Sequence, residues 1–146
     1  MSPVLVITGP SGVGKSQMLG SVSEQSAGAL FVVDGMADGC THFIPPAVPE
    51  SCNAVAVDHF ELGRWDLVED AFAWCQEHQK HLWVVAQNRQ SIETFIPEIL
   101  TGAVELQMAE VQGQAQLTLI YGSERRVFAP SEILAAGIAR NALTPK

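Results

Sequence analysis

The chain has 146 residues, an apolar fraction of 47% and a formal net charge of −8. That length and apolar content suit one domain with its own core, residues 1–146, and leave little room for a second. Eight Lys and Arg stand against sixteen Asp and Glu. This excludes the basic stripe of a nucleic-acid binder, so no strong direct nucleic-acid binding by the isolated chain is expected.

In chain order, Val4 to Thr8 reads as a fully buried strand. A Gly-rich turn follows, then a helix from Ser16 to about Val22. The second strand is Leu30 to Asp34, the third Ala54 to Asp58 and the fourth Leu82 to Gln87. Between the third and fourth lies a helix from Trp65 to about Gln79, with Trp65, Val68, Ala71, Phe72 and Cys75 at helical spacing for the sheet. Trp74 and Trp83 read as core or interface residues. A helix from about Ser91 to Leu100 leads to a fifth strand, Ala103 to Gln107. Gln114 to Tyr121 alternates apolar and polar residues and reads as an antiparallel addition. A last helix, Ser131 to about Ala142, opens with Ser131 as N-cap. Short β-branched runs alternating with helices predict an α/β fold with a mainly parallel sheet. The stretch Gly35 to Asn53 is long for a loop in a compact domain, which points to function or mobility.

The turn after the first strand carries the strongest chemical signal. Gly9-Pro10-Ser11-Gly12-Val13-Gly14-Lys15-Ser16 matches G-x-x-x-x-G-K-[ST], a phosphate-binding loop (Walker A). Its setting, buried strand before and helix after, is the required one. The backbone N–H groups and the positive helix end make a site for a di- or triphosphate. Gly9, Pro10, Ser11, Gly12, Val13, Gly14, Lys15, Ser16 and Gln17 are therefore the candidate nucleotide-binding residues. Lys15 reaches the β- and γ-phosphates, and the Ser16 hydroxyl is a ligand for Mg²⁺.

Ala54-Val55-Ala56-Val57-Asp58 is an apolar strand ending in an acid, the pattern of a Walker B strand. Asp58 then accepts a hydrogen bond from the Mg²⁺ shell or binds Mg²⁺ through water. At the end of the fourth strand, Gln87 is the first candidate to hydrogen-bond the γ-phosphate or the attacking water, and Asn88 the second. The alternative for both is capping of the next helix. Cys40, His42, Cys52, Cys75 and His78 do not space as two zinc knuckles, and Cys75 belongs to a buried helix face. The three cysteines are odd in number and unpatterned, as expected of free thiols in a reducing compartment.

This order of motifs resembles the additional-strand P-loop ATPases. It is most similar to the zonula-occludens-toxin-like assembly ATPases of filamentous phages and to the FtsK/HerA DNA-pumping group. The resemblance runs from about Val4 to Tyr121. It implies a three-layer RecA-like P-loop NTPase with an antiparallel addition near the C-terminus. It also implies ATP and Mg²⁺ as ligands, and a homo-oligomer or partner protein. An arginine from a neighbouring subunit would complete the site, with Arg89, Arg125 and Arg126 as candidates. The implied role is an ATPase in phage, plasmid or other mobile-element DNA transfer or assembly. These families place a catalytic Glu directly after the Walker B Asp, where this chain has His59. Glu61 is the favoured replacement as the group that handles the attacking water, ahead of His59 and Asp34.

Two other readings compete. An ATP-binding switch or structural subunit would bind ATP and hardly hydrolyse it. The opening Ile7-Thr8-Gly9-Pro10-Ser11-Gly12-Val13-Gly14-Lys15 is also similar to guanylate kinases, yet Gly35 to Asn53 lacks the Arg and Tyr of a nucleoside-monophosphate site. The Leu-Ser-Gly-Gly-Gln signature of ABC-type ATPases is absent. The chain contains no run of eighteen apolar residues, and Met1-Ser2-Pro3 has no charged n-region. The expectation is a cytoplasmic protein with no membrane association.

Overall fold

A computed structural model describes residues 4–10, 12–26, 29–34, 52–58, 65–100, 103–121, 123–129 and 132. They begin with β1 (Val4–Thr8), α1 (Lys15–Gln25), β2 (Leu30–Asp34) and β3 (Ala54–Asp58). α2 (Trp65–His78), β4 (His81–Ala86), α3 (Arg89–Phe95) and a 3-10 turn (Pro97–Leu100) come next. β5 (Val104–Val111), β6 (Gln114–Tyr121) and β7 (Glu124–Phe128) close the described chain. All seven strands form one sheet in the order β2-β3-β4-β1-β5-β6-β7. The first five in that order pair parallel, β6 adds antiparallel to β5, and β7 adds antiparallel to β6. β4 lies between the strand that feeds the Gly-rich loop and the strand that ends in Asp58. This inserted strand is the arrangement of a RecA-like sheet.

The layers follow from the two faces of the sheet. β1 sends Leu5 and Ile7 to one core, where Met18, Leu19 and Val22 of α1 pack. It sends Val4 and Val6 to the other, with Leu67, Val68, Ala71 and Cys75 of α2, and with Ile92, Ile96 and Ile99. A parallel strand covered on both faces needs apolar residues at every position, which is why β1 and β3 read as unbroken apolar runs. Trp83 of β4 is fully buried, and its register partner on β3 is Ala56. The small Ala54 and Ala56 side chains leave the volume that the indole fills.

Several boundaries differ from the sequence reading. The single helix expected over Ser91 to Leu100 is two pieces. Pro97 forces extended backbone on Ile96 (φ −141°), which ends α3 and starts the 3-10 turn. β4 stops at Ala86, so Gln87 stands beyond the strand rather than in it. β5 runs on to Val111, and β7 was not anticipated. α1 is longer than expected, at Lys15–Gln25. On α2, Val68, Ala71 and Cys75 are buried as expected, Trp65 and Phe72 are partly buried, and Leu67 joins them. Trp74 packs partly against the same core and stacks on His78. Of the predicted last helix, only Glu132 is among the described residues. There Ala129 N–H donates to Glu132 Oε1 and Glu132 N–H donates to the Ala129 carbonyl. The rest of Ser131 to Ala142, and residues 35–51 of the long loop, lie outside the described residues.

Candidate nucleotide-binding site

The C-terminal ends of the parallel strands meet on one edge of the sheet. Thr8 of β1 pairs with Ala86 of β4, and Asp34 of β2 pairs with Asp58 of β3. Ligands of open α/β sheets collect at this edge. The Gly-rich loop rises from it between Thr8 and Lys15.

The loop's shape depends on two glycines. At Gly9 a Cβ would lie 2.6 Å from the Met108 carbonyl oxygen, because the backbone of β5 passes that close. At Gly14, the N-cap of α1, φ is 103°, a left-handed conformation that side chains disfavour. No side chain caps α1 there. The helix start thus has no side-chain cap of its own, which suits an anion site.

Lys15 folds its ammonium over the loop and donates to the carbonyls of Gly9 and Pro10, the latter at 3.1 Å. A phosphate would offer it a charged and stronger acceptor. The hydroxyl of Ser16 donates to Asp58 Oδ2 at 2.6 Å. Asp58 is buried and Ser16 opens to the surface. The two motifs, 42 residues apart in sequence, therefore share one hydrogen bond. A hydroxyl beside a carboxylate is a hard-oxygen donor pair, and it fits Mg²⁺. Gly12, Val13 and Gln17 lie on the loop and the first turn of α1, with Gly12 and Gln17 exposed. Ser11, His59 and Glu61 fall outside the described residues, as does the side chain of Asp34.

The turn after β4 sits against the loop's root. Gly9 N–H donates to the Gln87 carbonyl at 3.2 Å, and the Gln87 side chain is exposed. Asn88 has the capping role. Its Oδ1 accepts from Ser91 N–H at 2.9 Å and from Ser91 Oγ at 3.1 Å. Arg89 makes ion pairs within its own chain, through Nε with Glu93 at 3.0 Å and through Nη1 with Glu105 at 3.4 Å. Arg125 and Arg126 are exposed on β7, the outer strand of the sheet.

Glu105 went unremarked in the sequence, although its signal was present. It is an acid between Val104 and Leu106, both buried. Its Oε2 accepts from Thr8 Oγ1 at 2.8 Å and from Gln107 Nε2 at 3.0 Å.

The opposite end of the sheet is built differently. Cys52 and Cys75 are buried thiols. Burial pushes the Cys75 thiol up to about 12; the neighbouring Cys52 adds to the rise and Lys80 opposes it. Burial also raises Cys52, again opposed by Lys80. Among the described residues, no three His, Cys, Asp or Glu side chains gather in a way that could hold a metal. Among the same residues, no helix is long and apolar enough to cross a membrane.

No protein-family model matches the chain, and no curated protein matches it. Among solved structures, it is similar to a KaiC-like protein of the hyperthermophilic archaeon Pyrococcus horikoshii OT3. The identity is 12% and the TM-score 0.48, over 88% of this chain and 83% of the other.

Proposed function

We propose that the chain binds Mg²⁺–ATP at the Gly9–Gln17 loop and hydrolyses it. The observation that carries this reading is the 2.6 Å contact between Ser16 and Asp58, which brings the loop and the acid-ended strand to one point. Bound there, Mg²⁺ would neutralise phosphate charge as the γ-phosphoryl group leaves. The chain's own groups do the rest. The loop backbone and the α1 N-terminus hold the phosphates, and Lys15 exchanges its carbonyl partners for phosphate oxygens. Gln87 stands at the loop's root to contact the γ-phosphate or the attacking water. Glu61 is the group we assign to that water, with Asp34 and His59 as the alternatives.

A second reading, an ATP-binding switch with little turnover, is favoured by one observation: His59 follows Asp58 where a carboxylate would serve. A self-assembled state would bring in an arginine from a neighbour. The intrachain pairs of Arg89 favour Arg125 or Arg126 for that role. A place in phage, plasmid or other mobile-element transfer rests on the family resemblance alone.

Single-turnover hydrolysis with Mg²⁺–ATP decides between the readings. The expected result is phosphate release by the wild type and its loss in Glu61→Gln with ATP binding kept. Wild-type hydrolysis rates in Glu61→Gln would overturn that assignment. Tight binding with an inert wild type would replace the ATPase with the switch.

A further inference from the structure

Glu105 places a carboxyl group where its strand neighbours are apolar and buried. The residue is 5% exposed and is flanked on its strand by buried Val104 and Leu106. A buried carboxylate and its partner are a weak source of stability, and an apolar residue would serve packing as well or better. What a carboxylate can do is accept from several elements at once. Glu105 accepts from Thr8 on β1, from Gln107 on its own strand and from Arg89 at the start of α3.

Those partners close a circuit around the turn after β4. Thr8 immediately precedes Gly9, and Gly9 N–H holds the Gln87 carbonyl. Arg89 lies two residues after Gln87 and returns to Glu105, with Glu93 as a second acid on the same guanidinium. Gln87 is therefore held at its own carbonyl by the loop's root and, two residues on, by the arginine that reaches Glu105. The Gln87 side chain is exposed, and the residue follows Ala86, the register partner of Thr8.

We infer that Glu105 is a positioning residue: it holds the Gln87–Asn88–Arg89 turn against the root of the phosphate loop and thereby sets Gln87 on the γ-phosphate of a bound nucleoside triphosphate. This rests on the ATP-binding reading above and adds to it the residue that makes the site distinguish a triphosphate from a diphosphate. Glu105 does not itself touch the nucleotide.

The test is the affinity of the whole chain for Mg²⁺–ATP and for Mg²⁺–ADP by calorimetry, which needs no turnover. Glu105→Gln keeps the shape and loses the charge that anchors Arg89. ADP affinity should stay within about twofold, while the ATP-over-ADP preference should fall about tenfold, the scale of one hydrogen bond to a charged group. Gln87→Ala should lose the same preference, and Glu105→Gln combined with Gln87→Ala should lose no more than either alone. Arg89→Ala, at a side chain 46% exposed, should reproduce the effect if Glu105→Gln fails to fold. An unchanged preference in the folded variants, an equal loss of ATP and ADP, or multiplying effects in the double variant would overturn the inference. So would a wild type that binds both nucleotides without preference. A wild type that binds neither would instead remove the ATP reading, and this inference with it.

Discussion

The two ends of the central sheet are built from the same strands and do opposite things. At the C-terminal end, β1 and β3 finish in Thr8 and Asp58, and the loop, Ser16 and Gln87 gather there. Polar groups at that end meet across elements. At the N-terminal end the backbone closes on itself. Asn53 N–H donates to the Ala29 carbonyl at 2.8 Å, His81 N–H to the Asn53 carbonyl at 3.0 Å, and Lys80 Nζ to the Cys52 carbonyl at 2.7 Å. The interiors of β1, β3 and β4 between the two ends are apolar and buried. On the proposed ATP-binding reading, binding chemistry is a property of strand ends. Residues at one end can change ligand affinity with little change in stability, and residues at the other should do the reverse.

The sharpest way to break that contrast is at Lys15. Lys15→Ala removes a charge-assisted phosphate contact worth roughly 1.5–3 kcal/mol, or on the order of ten- to a hundredfold in ATP affinity. Its present partners are two carbonyls of the loop and no core residue, so the unfolding midpoint should not move. Calorimetry and thermal unfolding of both proteins check this. An unchanged ATP affinity in a folded variant removes the loop as the binding site.

At the closed end the lever is Cys75. Its ordinary value is 9.0 and burial holds it at about 12 in the folded chain. Below pH 9 the thiol is protonated in both states and its contribution is fully present. Between about 9 and 12 only the unfolded chain releases the proton. The stability advantage of wild type over Cys75→Ala should therefore shrink by about 1.4 kcal/mol per pH unit across that window. Denaturant unfolding at several alkaline pH values measures it. A difference that stays constant with pH would show that the thiol is not held protonated. Nucleotide affinity at pH 7 should be the same in both proteins.

The same contrast explains what could be read from the sequence. β1, β2, β3 and α2 were legible because strands covered on both faces, and a helix with a wide apolar face, leave strong patterns. The loop was legible because phosphate binding restricts residue type as well as spacing. β7 was not, since four of its five residues are exposed and it lies at the sheet's outer side, where packing demands little. The far half of β5 escaped for the same reason: Glu110 and Val111 are exposed, and pairing with β6 carries the strand past the apolar run. The break at Pro97 was legible from proline chemistry and was overridden by the apolar spacing around it. Glu105 needed the third dimension, because its partners come from positions 8 and 89 as well as from Gln107.

The smallest expected effect separates two roles at one position. Asn88 stands beside Gln87, close enough to the ligand edge to be a γ-phosphate contact, yet its Oδ1 is already shared between Ser91 N–H and Ser91 Oγ. An N-cap satisfies one of the orphan N–H groups of α3, and its loss costs about 1 kcal/mol. Asn88→Ala should therefore lower stability by about that amount and leave ATP affinity within about twofold, since no phosphate contact is lost. Asn88→Ser and Asn88→Asp restore a capping oxygen and should recover most of the stability. The two replacements differ in charge, which makes them a second probe. At a position that faces phosphate, Asp would repel the ligand and Ser would not. At a position that faces only the helix start, Asp should serve as well as Ser, because a negative charge there complements the helix dipole. Unfolding measurements and calorimetry on the three variants read both quantities. A loss of ATP affinity in Asn88→Ala, worsened in Asn88→Asp, would move Asn88 from the closed hydrogen-bonding of the fold to the ligand end of the sheet.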